Sequence, residues 1–305
     1  MLVDKEMFDI VILTDNRYVN PTTTHWYIDQ VLLEDQLLQT ALEDQGLKVS
    51  KKDWADPSFD WTRTKYAIFR TTWDYFERFN EFFSWLDKTK NKTTFINSEA
   101  VINWNIDKHY LQDLSRKNIN IAPTLFIEKG DNTTLKQLFE ETNWSEAVIK
   151  PAISGAARHT YHITVSNYSE FEAVFQELIE NECILFQQFL NNITIQGEIS
   201  LILIGGKYTH SVRKTAKEGD FRVQDDHGGT VKEYTATKQE IIFAEKCLTA
   251  SPFKPIYARV DIVNDNSNNL SLSELELIEP ELWFRNNPTS AKLLADEISS
   301  LISSK

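Results

Sequence analysis

In the first hundred or so residues, apolar runs of strand length alternate with stretches of helical periodicity, and this alternation constrains the fold more than any other feature. Phe8–Leu13 is an apolar run of strand length. Ile28, Val31, Leu32, Leu38 and Leu42 recur at roughly helical spacing, and Gly46 is a natural helix stop. Tyr66–Phe69 reads as a second buried strand, followed by a helix from about Glu77 to Lys88 and a strand at Thr93–Ile96. Strands separated by helices imply right-handed βαβ units and a parallel sheet. Ligands of such sheets bind beyond the carboxyl ends of the strands. Two polar sets fall there: Thr14-Asp15-Asn16-Arg17 and Arg70-Thr-Thr-Trp-Asp-Tyr75. No Gly-rich fingerprint follows the first strand, so a dinucleotide site is not expected.

Beyond residue 98 the pattern changes. Asn105–Arg116 reads as a helix, and Leu125–Ile127, Ala147–Pro151 and Thr160–Val165 as strands. A helix at Glu170–Ile179 leads into the strand Cys183–Phe189. Glu198–Ile204 and Lys207–Arg213 flank Gly205-Gly206, a strong hairpin signal. A helix near Lys238–Leu248 precedes two acidic strands, Asn264–Asn269 reads as a loop tip, and a last helix begins near Ser290. The fold class is thus α/β followed by α+β, with expected divisions at 1–98, 99–190 and 191–305.

The 305 residues suffice for several lobes, and a net charge of −13 argues against nucleic acid or an anionic membrane as the main partner. Two cysteines, Cys183 and Cys247, both in apolar runs, make a disulfide framework unlikely and their thiols inert; a reducing cytoplasm fits. The N-terminus shows no basic region followed by a long apolar stretch, and no run approaches membrane-span length.

Chemistry concentrates in a few places. Tyr257-Ala-Arg-Val-Asp261 and Leu277-Ile-Glu-Pro-Glu281 each end a strand-like run. Alternation puts Arg259 and Asp261 on one face, and Glu279 and Glu281 on one face if the backbone stays extended. Carboxylates beside an arginine suit a divalent ion bridging a polyphosphate. Taken alone, they could equally be a solvated acidic strand. With Asp261 opposite Glu279, an antiparallel hairpin would turn at Leu270, with a loop from about Asn266 to Glu274. Val148-Ile-Lys150-Pro leads into Ser154-Gly-Ala-Ala-Arg158, a small-residue loop able to close over phosphates as a mobile lid. Leu185-Phe-Gln-Gln-Phe-Leu190 is an apolar strand whose exit could hold an adenine edge. Arg213 to Gly229 carries two arginines and a Gly pair in a polar stretch. His159, His210 and His227 lack metal-ligand spacing and read as structural or surface residues.

In this order the motifs resemble the ATP-grasp superfamily: Asn105-Ile-Asp-Lys108, Ile149-Lys150-Pro151, Gln187–Leu190, Gly197-Glu198, Arg213–Gly229, Arg259-Val-Asp261 and Glu279-Pro-Glu281. The resemblance covers roughly residues 98–305, and the first domain looks like the sheet that usually precedes this two-lobed catalytic unit. The chain is most similar to the glutathione-synthetase-like group. More narrowly, Arg70–Tyr75, Trp104–Lys108 and Gly219–Gln224 are similar to the cyclo-ligases that close O-ureido-serine to cycloserine.

The resemblance implies ATP and two Mg²⁺ ions. Lys108, Lys150, Ser154, Gly155 and Arg158, with Gly228 and Gly229, would contact phosphates. Gln187, Gln188, Phe189 and Leu190 would hold adenine, and Glu198 the ribose. Asp261, Glu279 and Glu281 would bind the metal, Glu281 standing where the family commonly has Asn. Arg213, Arg222 and Arg259 would stabilise the transferred phosphoryl group. Arg70 would clamp a substrate carboxylate, with Trp73 and Asp74 shaping its pocket; these could also be a packed Trp and a helix cap. The implied activity is a carboxylate–amine ligase working through an acylphosphate on small carboxylate and amine substrates. A small-molecule kinase on the same scaffold and a non-catalytic ATP-binding regulator are the rival readings. A homodimer or homotetramer is compatible with the sequence.

Overall fold

The computed structural model describes residues 6–155, 157–223 and 228–304. Among these, the first sheet holds β1 (Phe8–Thr14), β2 (Val49–Asp53), β3 (Thr64–Thr71) and β4 (Thr94–Ile96), all parallel, in the order β2-β1-β3-β4. The crossovers include α1 (Trp26–Asp44) and α2 (Phe79–Thr89). Ile10–Leu13 and Ala67–Phe69 are fully buried, as strands covered on both faces must be. β2 has no counterpart among the expected strands, because this edge strand is short and carries Lys51 and Lys52.

The expected helix over Asn105–Arg116 is instead two, α3 (Glu99–Asn105) and α4 (Tyr110–Arg116). Asp107 breaks the run: its carboxylate accepts from the His109 backbone N at 2.9 Å, and Lys108 N turns to Ala152 O. Both helices pack on the last sheet, with Val101, Tyr110, Leu111 and Leu114 in one core with Leu201, Val260 and Leu275.

The middle sheet is antiparallel, ordered β5-β8-β6-β7, from β5 (Thr124–Ile127), β6 (Glu146–Pro151), β7 (Tyr161–Thr164) and β8 (Ile184–Gln188). Helices α5 (Leu135–Thr142) and α6 (Tyr168–Asn181) cover one face through Leu138, Phe139, Phe175 and Ile179. A capping box, Thr134 with Gln137, starts α5. A short helix, α7 (Asn192–Ile195), leads to the last sheet.

That sheet is also antiparallel, ordered β11-β10-β9-β12-β13, from β9 (Glu198–Ile204), β10 (Lys207–Thr215), β11 (Thr230–Tyr234), β12 (Tyr257–Asn264) and β13 (Leu270–Glu276). Gly205 and Gly206, with φ of 58° and 79°, make the β9–β10 turn that the sequence promised. Helix α8 (Lys238–Ala250) packs behind it, and α9 (Thr289–Ser303) packs on α1, so that Leu294 and Ile298 share a core with Leu38 and Leu42. No helix among the described residues is long and apolar enough to cross a membrane.

One irregular segment, 277–284, is fixed by side chains from elsewhere. Asn97 donates to Leu277 O at 2.8 Å, and Tyr257 OH to Ile278 O at 2.7 Å. Arg70 donates to Pro280 O at 2.8 Å, and Glu34 accepts from Leu282 N at 2.6 Å. Backbone groups that no ladder satisfies thus find partners, and the segment is rigid without being regular.

Candidate active site

A cavity of about 460 Å³ is lined by residues from all three sheets, within the range of small-molecule sites. Its floor is the β12–β13 hairpin, where Asp261 pairs with Glu274 and Arg259 with Glu276. This corrects the expected pairing of Asp261 with Glu279. The turn is tighter than expected: Asp265 N bonds Asn269 O at 2.8 Å and Asn268 takes a φ of 63°, so the strands meet earlier.

Carboxylate oxygens of Asp261, Glu274 and Glu276 all lie within 4.8 Å of one another. Glu279 faces the same cavity beside Tyr75, and Glu281 is paired with Arg285; neither belongs to the close group. The carboxylates that converge are therefore Asp261, Glu274 and Glu276, rather than the expected Asp261, Glu279 and Glu281. Arg259 grips Asp261 with two nitrogens, at 3.0 and 2.9 Å, and also pairs with Glu276. Burial would raise the Asp261 carboxyl, but Arg259 and Lys214 outweigh it and hold it at about 2. Burial pushes Glu276 up to about 8 against the pull of Arg259, with Glu274 and Asp261 adding to the rise. One buried and two half-buried carboxylates that cannot all stay ionised alone are a donor set suited to a divalent cation.

Four cations face this group. Lys108 Nζ lies 3.2 Å from Glu274 and donates to Ser154 O at 2.6 Å. Lys150, at the end of β6, has its ammonium pushed down by burial and by Lys108, with Glu274 opposing. Lys214, which sequence reasoning missed, pairs with Glu198 and donates to Asp261 at 3.0 Å. The expected Arg213 points the other way, over the Tyr234 ring at 4.2 Å, and does not line the cavity. Strand alternation held the information, since neighbouring residues of β10 face opposite sides. Glu198 lines the cavity as expected, and Lys214 engages one of its carboxylate oxygens. Gly197 makes this approach possible, because a Cβ there would sit 2.3 Å from Lys214 O.

Ser154 and Gly155 line the cavity, and a Cβ on Gly155 would meet the Phe76 ring at 2.6 Å. Arg158 turns away to pair with Glu182, so its expected phosphate contact is corrected. Lys108 and Glu182 hold Ser154 and Arg158 in this loop, of which Ala156 lies outside the described residues. Gln187, Gln188, Phe189 and Leu190 all line the cavity, and Phe189 stacks on His162 with centroids 4.0 Å apart. Phe221 closes this aromatic corner, 5.6 Å from His162. Arg222 also lines the cavity, bonded to Asp220 at 2.7 Å. Gly228 and Gly229 do not; a Cβ on Gly228 would lie 3.4 Å from the Lys217 side chain. Gln224–His227 lie outside the described residues.

On the side of the first sheet, Trp73 lines the cavity as expected, donating from Nε1 to Glu279 O at 3.0 Å. Arg70 and Asp74 do not line it. Arg70 is 1 % exposed, bonded to Glu34 at 2.7 Å and to Pro280 O, a strut rather than a clamp. Asp74 accepts from Trp54 and Arg78, both at 2.7 Å. Arg17, Tyr18 and Tyr27 stand there instead, the two tyrosine rings 5.8 and 6.4 Å from Trp73. Arg17 belongs to the polar set after β1, which marked the place but not the residue.

Residues 107–277 match the RimK-like ATP-grasp domain, and residues 10–97 match the N-terminal domain of D-cycloserine synthetase DcsG. The chain is 25 % identical over 264 residues to the cycloserine biosynthesis protein DcsG of Streptomyces lavendulae, covering 80 % of this chain and 86 % of that protein. A probable α-L-glutamate ligase of Teredinibacter turnerae is 27 % identical over 150 residues, 48 % of either chain. The crystal structure of D-cycloserine synthetase DcsG superposes with a TM-score of 0.85 at 22 % identity, covering 96 % of this chain and 99 % of that one.

Proposed function

The chain belongs to the RimK-like ATP-grasp family as an ATP-dependent ligase that forms C–N bonds, and we propose that it acts on a small amino-acid-like carboxylate through an acylphosphate. The observation that carries this reading is the carboxylate trio Asp261, Glu274 and Glu276, set among Lys108, Lys150, Lys214 and Arg259 on the floor of one cavity. Alternating charge of this kind suits a polyphosphate with divalent cations and little else of that size. Asp261, Glu274 and Glu276 would hold Mg²⁺, which when bound neutralises phosphate oxygens.

The rest follows from the chain's own groups. The Gln187–Leu190 exit and the Phe189–Phe221 corner offer an apolar slot for a base. Lys108 and Lys150 line the same cavity, Lys150 from the middle sheet, and would meet the phosphates there. A substrate carboxylate oxygen attacks the γ-phosphorus, and ADP leaves. Arg259 and Arg222, both on the cavity wall, would stabilise the charge that builds up on the transferred group. A nitrogen nucleophile then attacks the acyl carbon and gives up its proton, and phosphate leaves with the carboxylate oxygen that had attacked the phosphorus. The aromatic wall of Tyr18, Tyr27 and Trp73 limits the acceptor to a small molecule and helps to exclude water. The match of residues 10–97 to the N-terminal domain of a cycloserine synthetase supports an O-ureido-serine-like substrate, with the nucleophile in the same molecule.

The test is ATP turnover with a panel of amino acids that includes O-ureido-serine, with mass analysis of products. With ¹⁸O in the substrate carboxylate, one label should appear in the released phosphate. A stable phosphorylated product, or phosphate free of label, would replace the ligase chemistry proposed here.

A further inference from the structure

Behind the cavity, three side chains of a different chemistry converge. His109 Nε2 lies 3.1 Å from Glu128 Oε1 and 3.8 Å from Cys183 Sγ. The three potential ligand atoms all fall within 4.8 Å of one another. A tetrahedral zinc ion with Zn–S of about 2.3 Å and Zn–N and Zn–O of about 2.0–2.1 Å has ligand–ligand edges of roughly 3.3–3.6 Å. The observed separations bracket those edges.

The backbone fixes this arrangement. Strands β5 and β8 are antiparallel with Ile127 opposite Ile184, so Glu128 and Cys183 occupy the next position of the ladder. His109 stands over them at the start of α4, its ring 4.5 Å from that of Phe126. Asp107 holds both the His109 backbone N, at 2.9 Å, and the ring Nδ1, at 2.5 Å. A carboxylate on Nδ1 leaves Nε2 to act as the ligand, the arrangement usual behind metal-bound histidines. Cys183 is half-buried rather than buried, contrary to the sequence expectation, and Glu128 is 71 % exposed, which leaves a path of entry.

We propose that His109, Glu128 and Cys183 form a second metal site, outside the ATP cavity, for a zinc-class divalent ion with one coordination position left to water. The donor set of imidazole, thiolate and carboxylate is that of zinc rather than of Mg²⁺. The ion would join the start of α4 to β5 and β8. It would thereby steady Lys108, the neighbour of His109, from behind the cavity.

Co²⁺ added to chelator-stripped protein is the probe. Wild-type protein should show the strong visible absorption of tetrahedral Co²⁺ with a thiolate charge-transfer band, both displaced by Zn²⁺. Cys183→Ser should abolish that band and weaken binding at least tenfold, and Asp107→Asn should weaken it by roughly ten- to a hundredfold. Cys247→Ser should change neither. Alkylation of Cys183 in the wild-type protein, slowed at least tenfold by Zn²⁺, gives the same answer should a variant fail to fold. The proposal is overturned if the Co²⁺ protein lacks the band, if the band survives Cys183→Ser, or if Zn²⁺ leaves alkylation unchanged. His109 would then be an imidazolium bridging Asp107 and Glu128.

Discussion

Asp261 faces Glu274 across the β12–β13 hairpin, and this pairing rather than the sequence spacing decides which carboxylates share the cavity floor. Glu276 joins them one pleat further on, beside Arg259, whereas Glu281 is turned to Arg285. Glu274→Gln should therefore lower kcat by about a thousandfold or more and raise the Mg²⁺ concentration needed for half-maximal rate, since a ligand of the transferring phosphate's cation is lost. Glu281→Gln should cost less than about tenfold. Steady-state kinetics over a Mg²⁺ series separates the two, and the reverse ranking would restore the metal ligands expected from sequence.

Lys214 sits between two carboxylates, Glu198 and Asp261, with little access to water. Burial would lower its ammonium pKa, but the two carboxylates outweigh that and raise it. Lys214→Met leaves Glu198 buried without its paired cation and Asp261 with Arg259 alone, a change that typically costs about 3–5 kcal/mol. A raised ammonium pKa means that the stabilisation is complete at neutral pH and is lost only as the pH climbs through that raised value. The difference in melting temperature between wild type and Lys214→Met should therefore stay level from about pH 6 to pH 9.

Much of the scaffold was legible because buried parallel strands leave continuous apolar runs, as at Phe8–Leu13, and because Gly205-Gly206 marks a turn by backbone freedom alone. The failures share a cause. Four glutamates at 274, 276, 279 and 281 offer several hairpin registers, and only the closed turn at 265–269 selects one. Arg213 and Lys214 are adjacent cations, so an error of one position exchanges cavity for surface. Arg70 lay at the end of a parallel strand, where a ligand was expected, but its partner Glu34 comes from the buried face of α1. No local pattern announces such a pairing. The Cys-His-Glu cluster escaped notice because its members are brought together by strand register rather than by sequence spacing.

Beside that buried pair, Asp35 carries a testable pH dependence. Burial pushes its carboxyl up to about 6, with Lys51 and Arg70 opposing and Glu34 adding to the rise. Between its ordinary value and about 6 the folded state holds a proton that the unfolded state has released. Stability from this group is thus present at low pH and lost as the pH rises through that window, the reverse of an aspartate whose carboxyl is held low. Asp35→Asn should flatten the loss and stabilise the protein at pH 7 by up to roughly 2–3 kcal/mol. Urea unfolding at pH 4.5 and pH 7 checks it. An equal effect of the substitution at both values would show that Asp35 is ionised throughout.

The last prediction concerns the acceptor. With Arg70 locked to Glu34, the basic residue that lines the cavity on the side of the first sheet is Arg17. Asp15, almost wholly buried, grips its guanidinium at 3.1 and 2.6 Å, while 60 % of the side-chain surface stays accessible. A planar cation fixed along one edge is oriented for a carboxylate approaching from the cavity. Tyr18, Tyr27 and Trp73 give that carboxylate an apolar neighbour suited to a short aliphatic body. Arg17→Ala should raise the KM for the amino-acid substrate by about ten- to a hundredfold while leaving the KM for ATP within about twofold, because Arg17 stands on the side away from the base slot. Asp15→Asn, which loosens the grip but keeps the cation, should give a smaller change in the same direction. If Arg17→Ala leaves the substrate KM unchanged, the acceptor carboxylate is held elsewhere on the cavity wall.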